Sequence, residues 1–149
     1  MDSAEQLMRQ YELMVNSSLQ VTIWRQGANN FFLAVNSALL AFATYLYSIS
    51  VFTGILIGIV GIAITTLWYH TIGYYRSLNK AKFLVIQEIE KQLPVAMFKS
   101  EEDHFSKEKR KIATSIESKI PILFAIAYIV LIAVLIMKLL SFYGIFGTA

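Results

Sequence analysis

Residues 26–75 read QGANNFFLAVNSALLAFATYLYSISVFTGILIGIVGIAITTLWYHTIGYY, and none of these fifty side chains carries a formal charge. A single helix of this length would extend about 75 Å, whereas the hydrocarbon core of a bilayer is ~30 Å thick. The segment therefore predicts two membrane-spanning helices, roughly Phe31–Tyr47 and Gly54–Tyr75, joined by a turn at Ser48–Thr53. We expect helices because backbone groups in lipid must be paired within their own segment, and the alternation of a barrel strand is missing.

A second apolar run predicts a third crossing. Ile120–Met137 lies between Lys119 and Lys138 and reaches the usual minimum length for a spanning helix. The composition agrees, since 56% of residues are hydrophobic and 15% are charged. The predicted fold is an all-α integral membrane protein with three transmembrane helices, a hairpin plus a C-terminal helix, and a cytoplasmic helical layer.

The positive charges predict the orientation. Of thirteen Lys and Arg residues, two precede the hairpin, ten lie between Arg76 and Lys119, and the last is Lys138. By the positive-inside rule, the N-terminus and the loop after the hairpin face the cytoplasm, and the C-terminus lies outside. The predicted location is the inner membrane, with residues 1–25 a cytoplasmic amphipathic helix, 26–75 the hairpin, 76–119 a cytoplasmic helical hairpin, and 120–149 the third crossing and an outer tail.

The cytoplasmic segments have helical patterns of their own. Residues 2–24 place apolar side chains on one face, and the acidic character of the other face favours packing on the protein's own helices over anionic lipid. The second crossing is expected to continue to Leu93, because no breaker precedes Pro94. A further helix is expected to begin at Ser100, where the hydroxyl can cap, and to continue through Phe105 to the third crossing.

Polar residues recur every seven positions in the first crossing. Asn29, Asn36 and Ala43 form one series, and Asn30, Ser37 and Thr44 form the series one position along. In a bilayer such side chains bond to another helix or face water. The pattern leaves both possibilities open, so the candidate residues for an oligomer contact or a pore lining are Asn29, Asn36, Ser37 and Thr44.

Two further features concern packing and anchoring. In the second crossing one stripe of small residues predicts close helix packing, formed by Gly54, Gly58, Gly61 and Thr65. Lys138 is interpreted as an outer anchor whose ammonium reaches the headgroups, or alternatively as part of a charge ring at a pore mouth. The basic cluster at 107–111 is either a solvated helix face or a contact for anionic lipid.

Reactive chemistry is sparse. The chain has no cysteine, its two histidines are thirty-four positions apart, and the crossings contain no Asp or Glu. No catalytic set, phosphate-binding loop or metal-ligand pattern is visible, and the charge of +3 is explained by the cytoplasmic loop. We therefore expect no enzyme activity, no cofactor, no metal and no nucleic-acid partner.

Several segments resemble a known family. They are RQGANNFFLAVNSAL at 25–39, YRSLNKAKF at 75–83, VIQEIE at 85–90 and the Leu93-Pro94 pair. They are similar to the RipA-type family of small bacterial inner-membrane proteins, over roughly residues 5–105. The resemblance implies a homo-octamer and a link to bacterial survival inside host cells. A more distant, architectural similarity is to the two-helix membrane effectors of the SLATT type.

The resembling segments suggest a polar network at the inner membrane surface, either between subunits or as ordinary positive-inside anchoring. Its candidate residues are Arg25, Arg76, Asn79 and Lys82, with Glu88 or Glu90 as the carboxylate. The leading function is a homo-oligomeric, channel-like ring that affects membrane permeability, envelope homeostasis or stress and host survival. The alternative is a non-conducting scaffold whose cytoplasmic helices recruit a protein partner. The expected partners are other copies of the chain and membrane lipid.

Overall fold

In the part of the chain that it describes, the computed structural model contains four helices: α1 Ser3–Leu46, α2 Val51–Glu90, α3 Met97–His104 and α4 Lys107–Phe142. It describes residues 3–46, 50–104 and 107–143, with the backbone alone for residues 107–116. Three of the helices are long and apolar enough to span a membrane. The prediction of an all-α fold with three potential crossings is therefore confirmed.

Helix α1 contains two of the predicted segments. The sequence predicted an amphipathic helix over residues 2–24 and a crossing at roughly Phe31–Tyr47, and the structure has one helix from Ser3 to Leu46. The segment contains no proline, and Gly27 costs a helix interior only about 1 kcal/mol relative to alanine. The change from an amphipathic to an apolar pattern therefore occurs within one continuous helix.

The segment after α2 also differs from the prediction. Helix α2 ends at Glu90, and the N–H groups of Gln92 and Leu93 bond to the carbonyls of Ile89 and Glu90 in a tighter turn. Helix α3 begins at Met97, so Ser100 lies inside it and does not cap it. Of the helix expected from Ser100 to the third crossing, the described residues form the end of α3 up to His104 and all of α4 from Lys107. The predicted position Phe105 lies outside the described residues.

The chain divides into two compact units. The charged unit consists of Met1–Ala28 and Thr71–Glu117, and the membrane unit consists of Asn29–His70 and Ser118–Ala149. The core of the membrane unit includes Trp68 and Tyr128. In the charged unit the buried residues include Tyr11 and Ile86, and Tyr11 bonds to Glu90 of α2. The prediction that the N-terminal segment packs on the protein's own helices is confirmed.

Candidate functional site

Asn36 is the polar centre of the membrane unit. Its side chain is fully buried, and its Oδ1 accepts a hydrogen bond of 2.8 Å from the Thr65 hydroxyl. Its Nδ2 donates to the Phe32 carbonyl at 2.8 Å, and its own carbonyl accepts a bond of 3.0 Å from the Tyr128 hydroxyl. These bonds join α1, α2 and α4 in an apolar surrounding, where a fully paired network stabilises one arrangement of the helices.

Asn29 forms the second polar contact of the membrane unit. The indole Nε1 of Trp68 donates a hydrogen bond of 2.9 Å to Asn29 Oδ1. The Trp68 ring stacks on Phe32 with an interplanar angle of 12° and a centroid distance of 6.0 Å, and it also contacts Phe124 at 6.0 Å. One asparagine amide thus satisfies the polar edge of a buried indole whose faces pack on other rings.

The glycine stripe of α2 lies against α4. A Cβ placed on Gly58 would be 2.7 Å from Cγ1 of Ile132, and a Cβ on Gly61 would overlap the Tyr128 ring. Gly54 and Thr65 are buried as well. The small residues let the two helices approach closely, and this approach brings the Tyr128 hydroxyl to α1.

The seven-residue polar pattern of α1 separates into two faces. Asn29 and Asn36 turn toward α2, whereas Asn30, Ser37 and Thr44 are exposed. The Thr44 hydroxyl donates to the carbonyl of Ala41 at 2.7 Å and needs no other partner. Of the two polar series, the exposed one, formed by Asn30, Ser37 and Thr44, is available to water or to another copy of the chain.

In the charged unit, Glu117 joins two arginines that lie far apart in the sequence. Its Oε1 is 3.5 Å from Arg25 Nε, and its Oε2 is 3.3 Å from Arg76 Nη2. The predicted network contained both arginines but not this carboxylate. The signal for Glu117 was its position three residues before the third apolar run, at the same membrane boundary as Arg25 and Arg76.

The other predicted members of the network have different partners. The Asn79 side chain accepts a hydrogen bond of 2.8 Å from the Ser18 hydroxyl, and the Lys82 ammonium donates to the Ser17 hydroxyl at 2.6 Å. Glu88 is exposed and bonds at 2.9 Å to Lys91, which lies three positions along the chain and just beyond the end of α2. Within the protomer the Glu88 carboxylate pairs with Lys91 and not with the arginines, so a role for Glu88 in a network between subunits stays a prediction.

Glu90 connects three helices. It accepts a bond of 3.0 Å from the Tyr11 hydroxyl of α1 and bonds of 2.8 and 3.2 Å from the backbone N–H groups of Phe98 and Lys99. Those N–H groups belong to the first turn of α3, so Glu90 acts as its N-terminal cap from the end of α2. Burial, the hydrogen bond from Tyr11 and the charge of Glu90 raise the pKa of Tyr11 to about 12.

The remaining predicted positions that the structure describes form no joint site with one another. Lys138 is exposed near the end of α4, and the side chains of the basic cluster at 107–111 lie outside the described residues. His70 is exposed beside Tyr69, and the His104 ring contacts the carbonyl of Ser100. Within residues 3–46, 50–104 and 107–143, no group of three His, Cys, Asp or Glu side chains is placed to hold a metal ion.

Comparisons with known proteins identify the family. A search of curated proteins found no match. A search of solved structures also found none. A family model described as the octameric membrane protein family, 8xMP, matches residues 8–137, which is most of the chain and includes the segments that resemble the RipA-type family. The chain therefore belongs to the octameric membrane protein family.

Proposed function

We propose that eight copies of this chain form a ring in the bacterial inner membrane with a channel-like role in membrane permeability. The octameric family and the exposed polar face of α1 support this proposal. Three helices are too few to enclose a path, so a path needs several copies around a common axis. The broader role is envelope homeostasis or survival of stress and of the host.

The interior of one protomer is an unsuitable place for a water path. Asn36 and Thr65 bond to each other, and Asn29 bonds to the buried Trp68. Their polar groups are used in joining helices, and Tyr128 fills the space beside Gly61. A path across the membrane therefore runs between copies in this proposal.

The observation that carries the proposal is the exposed series Asn30, Ser37 and Thr44. Residues seven positions apart lie on one side of a helix, so these side chains form a stripe along α1. Polar side chains in a membrane helix face water or another protein rather than lipid. The other exposed side of α1 carries Phe31 and Phe42, which suit lipid. A ring with the stripe toward its axis presents eight polar stripes to the path.

Ion flux through the octamer in liposomes tests this role. The double variant Ser37→Leu with Thr44→Leu is expected to remove flux while the octamer is retained, as native mass spectrometry would show. The matched control is Thr66→Leu, because Thr66 is also exposed and also donates its hydroxyl to a backbone carbonyl, that of Ile62 at 2.8 Å. A wild-type octamer without flux, or a double variant with normal flux, contradicts the proposal.

The predicted orientation belongs to the same proposal. The charged loop from Arg76 to Lys119 is placed in the cytoplasm with the N-terminus, and the C-terminus is placed outside. Because the chain has no cysteine, single cysteines at the two termini can be labelled with an impermeant maleimide in intact inner-membrane vesicles of known orientation. Labelling of both termini from the same side contradicts this topology.

A scaffold that recruits a protein partner is the second candidate. It is favoured by large apolar side chains exposed on the charged unit, among them Leu84 at 59% and Val95 at 64%. Leu84→Ser and Val95→Ser are expected to abolish partner binding, and Gln92→Ser, at an exposed polar position, is the control. Deletion of residues 1–24 is a poor test, because it removes Tyr11 from the core of the unit. Binding that survives both serine variants contradicts this function.

A further inference from the structure

The charged unit contains a cavity of about 650 Å³. This volume lies in the usual range for small-molecule sites, roughly 300–1,000 Å³. The lining combines cations, carboxylates and aromatic rings, namely Arg25, Arg76, Lys80, Glu101, Glu102 and Phe83. The channel-like role does not use this cavity, and the scaffold role uses only Leu84 of its lining.

The cations lie at one end of the cavity. Arg25 and Arg76 share the Glu117 carboxylate, so these three groups together carry one positive charge. Lys80 is exposed, one helical turn along α2 from Arg76, and among the described residues it has no ion-pair partner. The end therefore carries net positive charge, with the Lys80 ammonium available to an anion.

The carboxylates lie toward the other end. Glu102 accepts a hydrogen bond of 2.6 Å from Gln87, which is seven residues and about 10 Å along α2 from Lys80. Its neighbour Glu101 is exposed and has no ion-pair partner in the part of the chain that the structure describes. Phe83 lies between the two ends, with its ring 5.7 Å from that of Phe98. The cavity is thus positive at one end, apolar along its wall and negative at the other end.

The positive end marks the membrane boundary. Arg25 is the last charged residue before the charge-free segment, and Arg76 is the first after it. Basic residues at such positions lie at the level of the lipid headgroups. Along the lipid, the order of groups is acyl chain, phosphate and then the terminal headgroup substituent. The acyl chains would then lie in the bilayer, the phosphate at the basic end of the cavity and the terminal substituent at its acidic end.

We propose that the cavity binds the phosphoethanolamine headgroup of a membrane phospholipid, with the phosphate at Lys80 and the primary ammonium at Glu101. The formal charges of the arginines, Lys80 and the three carboxylates sum to zero, which favours a zwitterion over an anion. A primary ammonium donates charge-assisted hydrogen bonds to a carboxylate, whereas a choline group has no N–H to donate. Phosphoglycerol lacks the positive charge that Glu101 and Glu102 attract.

Native mass spectrometry of the purified full-length octamer tests the proposal. The probes are the short-chain dihexanoyl forms of phosphatidylethanolamine, phosphatidylcholine and phosphatidylglycerol, together with soluble O-phosphoethanolamine. Phosphatidylethanolamine is expected to bind about tenfold more tightly than the other two lipids, since one charge-assisted hydrogen bond is at stake. Soluble O-phosphoethanolamine is expected to compete only weakly, because it has no acyl chains whose apolar surface binding removes from water.

Two cavity variants and two controls assign the binding to these residues. Lys80→Gln and Glu101→Gln are each expected to reduce the preference for phosphatidylethanolamine to about the level of phosphatidylcholine. Lys99→Gln and Glu12→Gln, at exposed positions outside the cavity lining, are expected to preserve it. Equal binding of all three lipids, or a preference unchanged in both cavity variants, overturns the proposal. If phosphatidylglycerol binds more tightly than phosphatidylethanolamine, the ligand is not a zwitterion. If O-phosphoethanolamine binds as tightly as phosphatidylethanolamine, the ligand is not a lipid.

Discussion

The hydroxyl of Thr65 on α2 donates a hydrogen bond of 2.8 Å to the side-chain carbonyl of Asn36 on α1. Both residues are buried, and the Tyr128 hydroxyl of α4 bonds to the backbone carbonyl of the same asparagine. The bond therefore belongs to the packing of one protomer. This placement separates the effect of a mutation at Asn36 from the effect of one at the neighbouring exposed Ser37.

Asn36→Leu is expected to destabilise the protomer by about 1–3 kcal/mol, because the Thr65 hydroxyl loses its buried acceptor. Ser37→Leu, one position along the helix and exposed, is expected to leave stability nearly unchanged. Thermal unfolding of both variants in the same detergent measures the difference. A stable Asn36→Leu octamer with altered ion flux would place this asparagine at a path instead of in the core.

Gly61→Ala is expected to destabilise the membrane unit, because the added Cβ overlaps the ring of Tyr128. The matched control is Gly73→Ala, where no described atom outside its chain neighbours and the local helix backbone lies within 4 Å of the new Cβ. There alanine is expected to be neutral or to stabilise the helix by up to about 1 kcal/mol through its higher helix propensity. The unfolding temperature of each variant is compared with that of the wild type. Shifts in the same direction for both variants would contradict the close packing of α2 on α4.

Glu117→Gln is expected to lower the stability of the charged unit, because Arg25 and Arg76 are left facing each other without a carboxylate. Glu88→Gln is the control, since the pair of Glu88 with Lys91 is exposed and such pairs contribute about 0–1 kcal/mol. Thermal unfolding at low and high salt measures both. The difference between Glu117→Gln and wild type is expected to shrink at high salt as the repulsion of the arginines is screened.

Glu90→Ala is expected to release the first turn of α3, because the N–H groups of Phe98 and Lys99 lose their acceptor. Hydrogen exchange followed by mass spectrometry is expected to show faster exchange in the peptide that contains residues 97–104. The control Glu88→Ala leaves this acceptor in place. Unchanged protection of that peptide in Glu90→Ala would show that α3 is held by other contacts.

The Tyr11 hydroxyl is expected to ionise late, because the pKa of Tyr11 is raised to about 12 from the ordinary 10.0. The pKa is raised because the folded state favours the protonated hydroxyl. The resulting contribution to folding stability is complete below pH 10 and is lost as the pH rises toward 12. The difference in tyrosinate absorbance between wild type and Tyr11→Phe measures the midpoint. A midpoint near 10 would contradict the burial of this hydroxyl against Glu90.

The sequence predicted the helices better than the ends of the helices. Long apolar segments bounded by charges are strong local signals, so the three potential crossings were correct. The start of α3 was missed because its cap, Glu90, belongs to another helix. Capping motifs in a sequence are recognised only from residues next to the start of the helix. The N-terminal amphipathic helix and the first crossing form one helix, because a helix can continue while its surroundings change from water to lipid.

The candidate site was predicted in part. The exposed and buried polar series of α1 were both visible, but a repeat of seven does not show which series faces the neighbouring helix. The arginines of the inner network were identified from their positions at the membrane boundary. Glu117 was missed because it belongs to a segment ninety-two residues after Arg25, and only the folded chain brings them together.

The sequence by itself determined that this is a helical membrane protein, because fifty residues without a charge can be accommodated only in a bilayer and only as helices. The tertiary structure decided which polar residues are used inside the protomer and which are left on its surface. It did so through the close approach of α2 and α4 at Gly61, which directs Tyr128 to Asn36. Such an assignment depends on the rotation of each helix about its axis, and packing between helices sets that rotation.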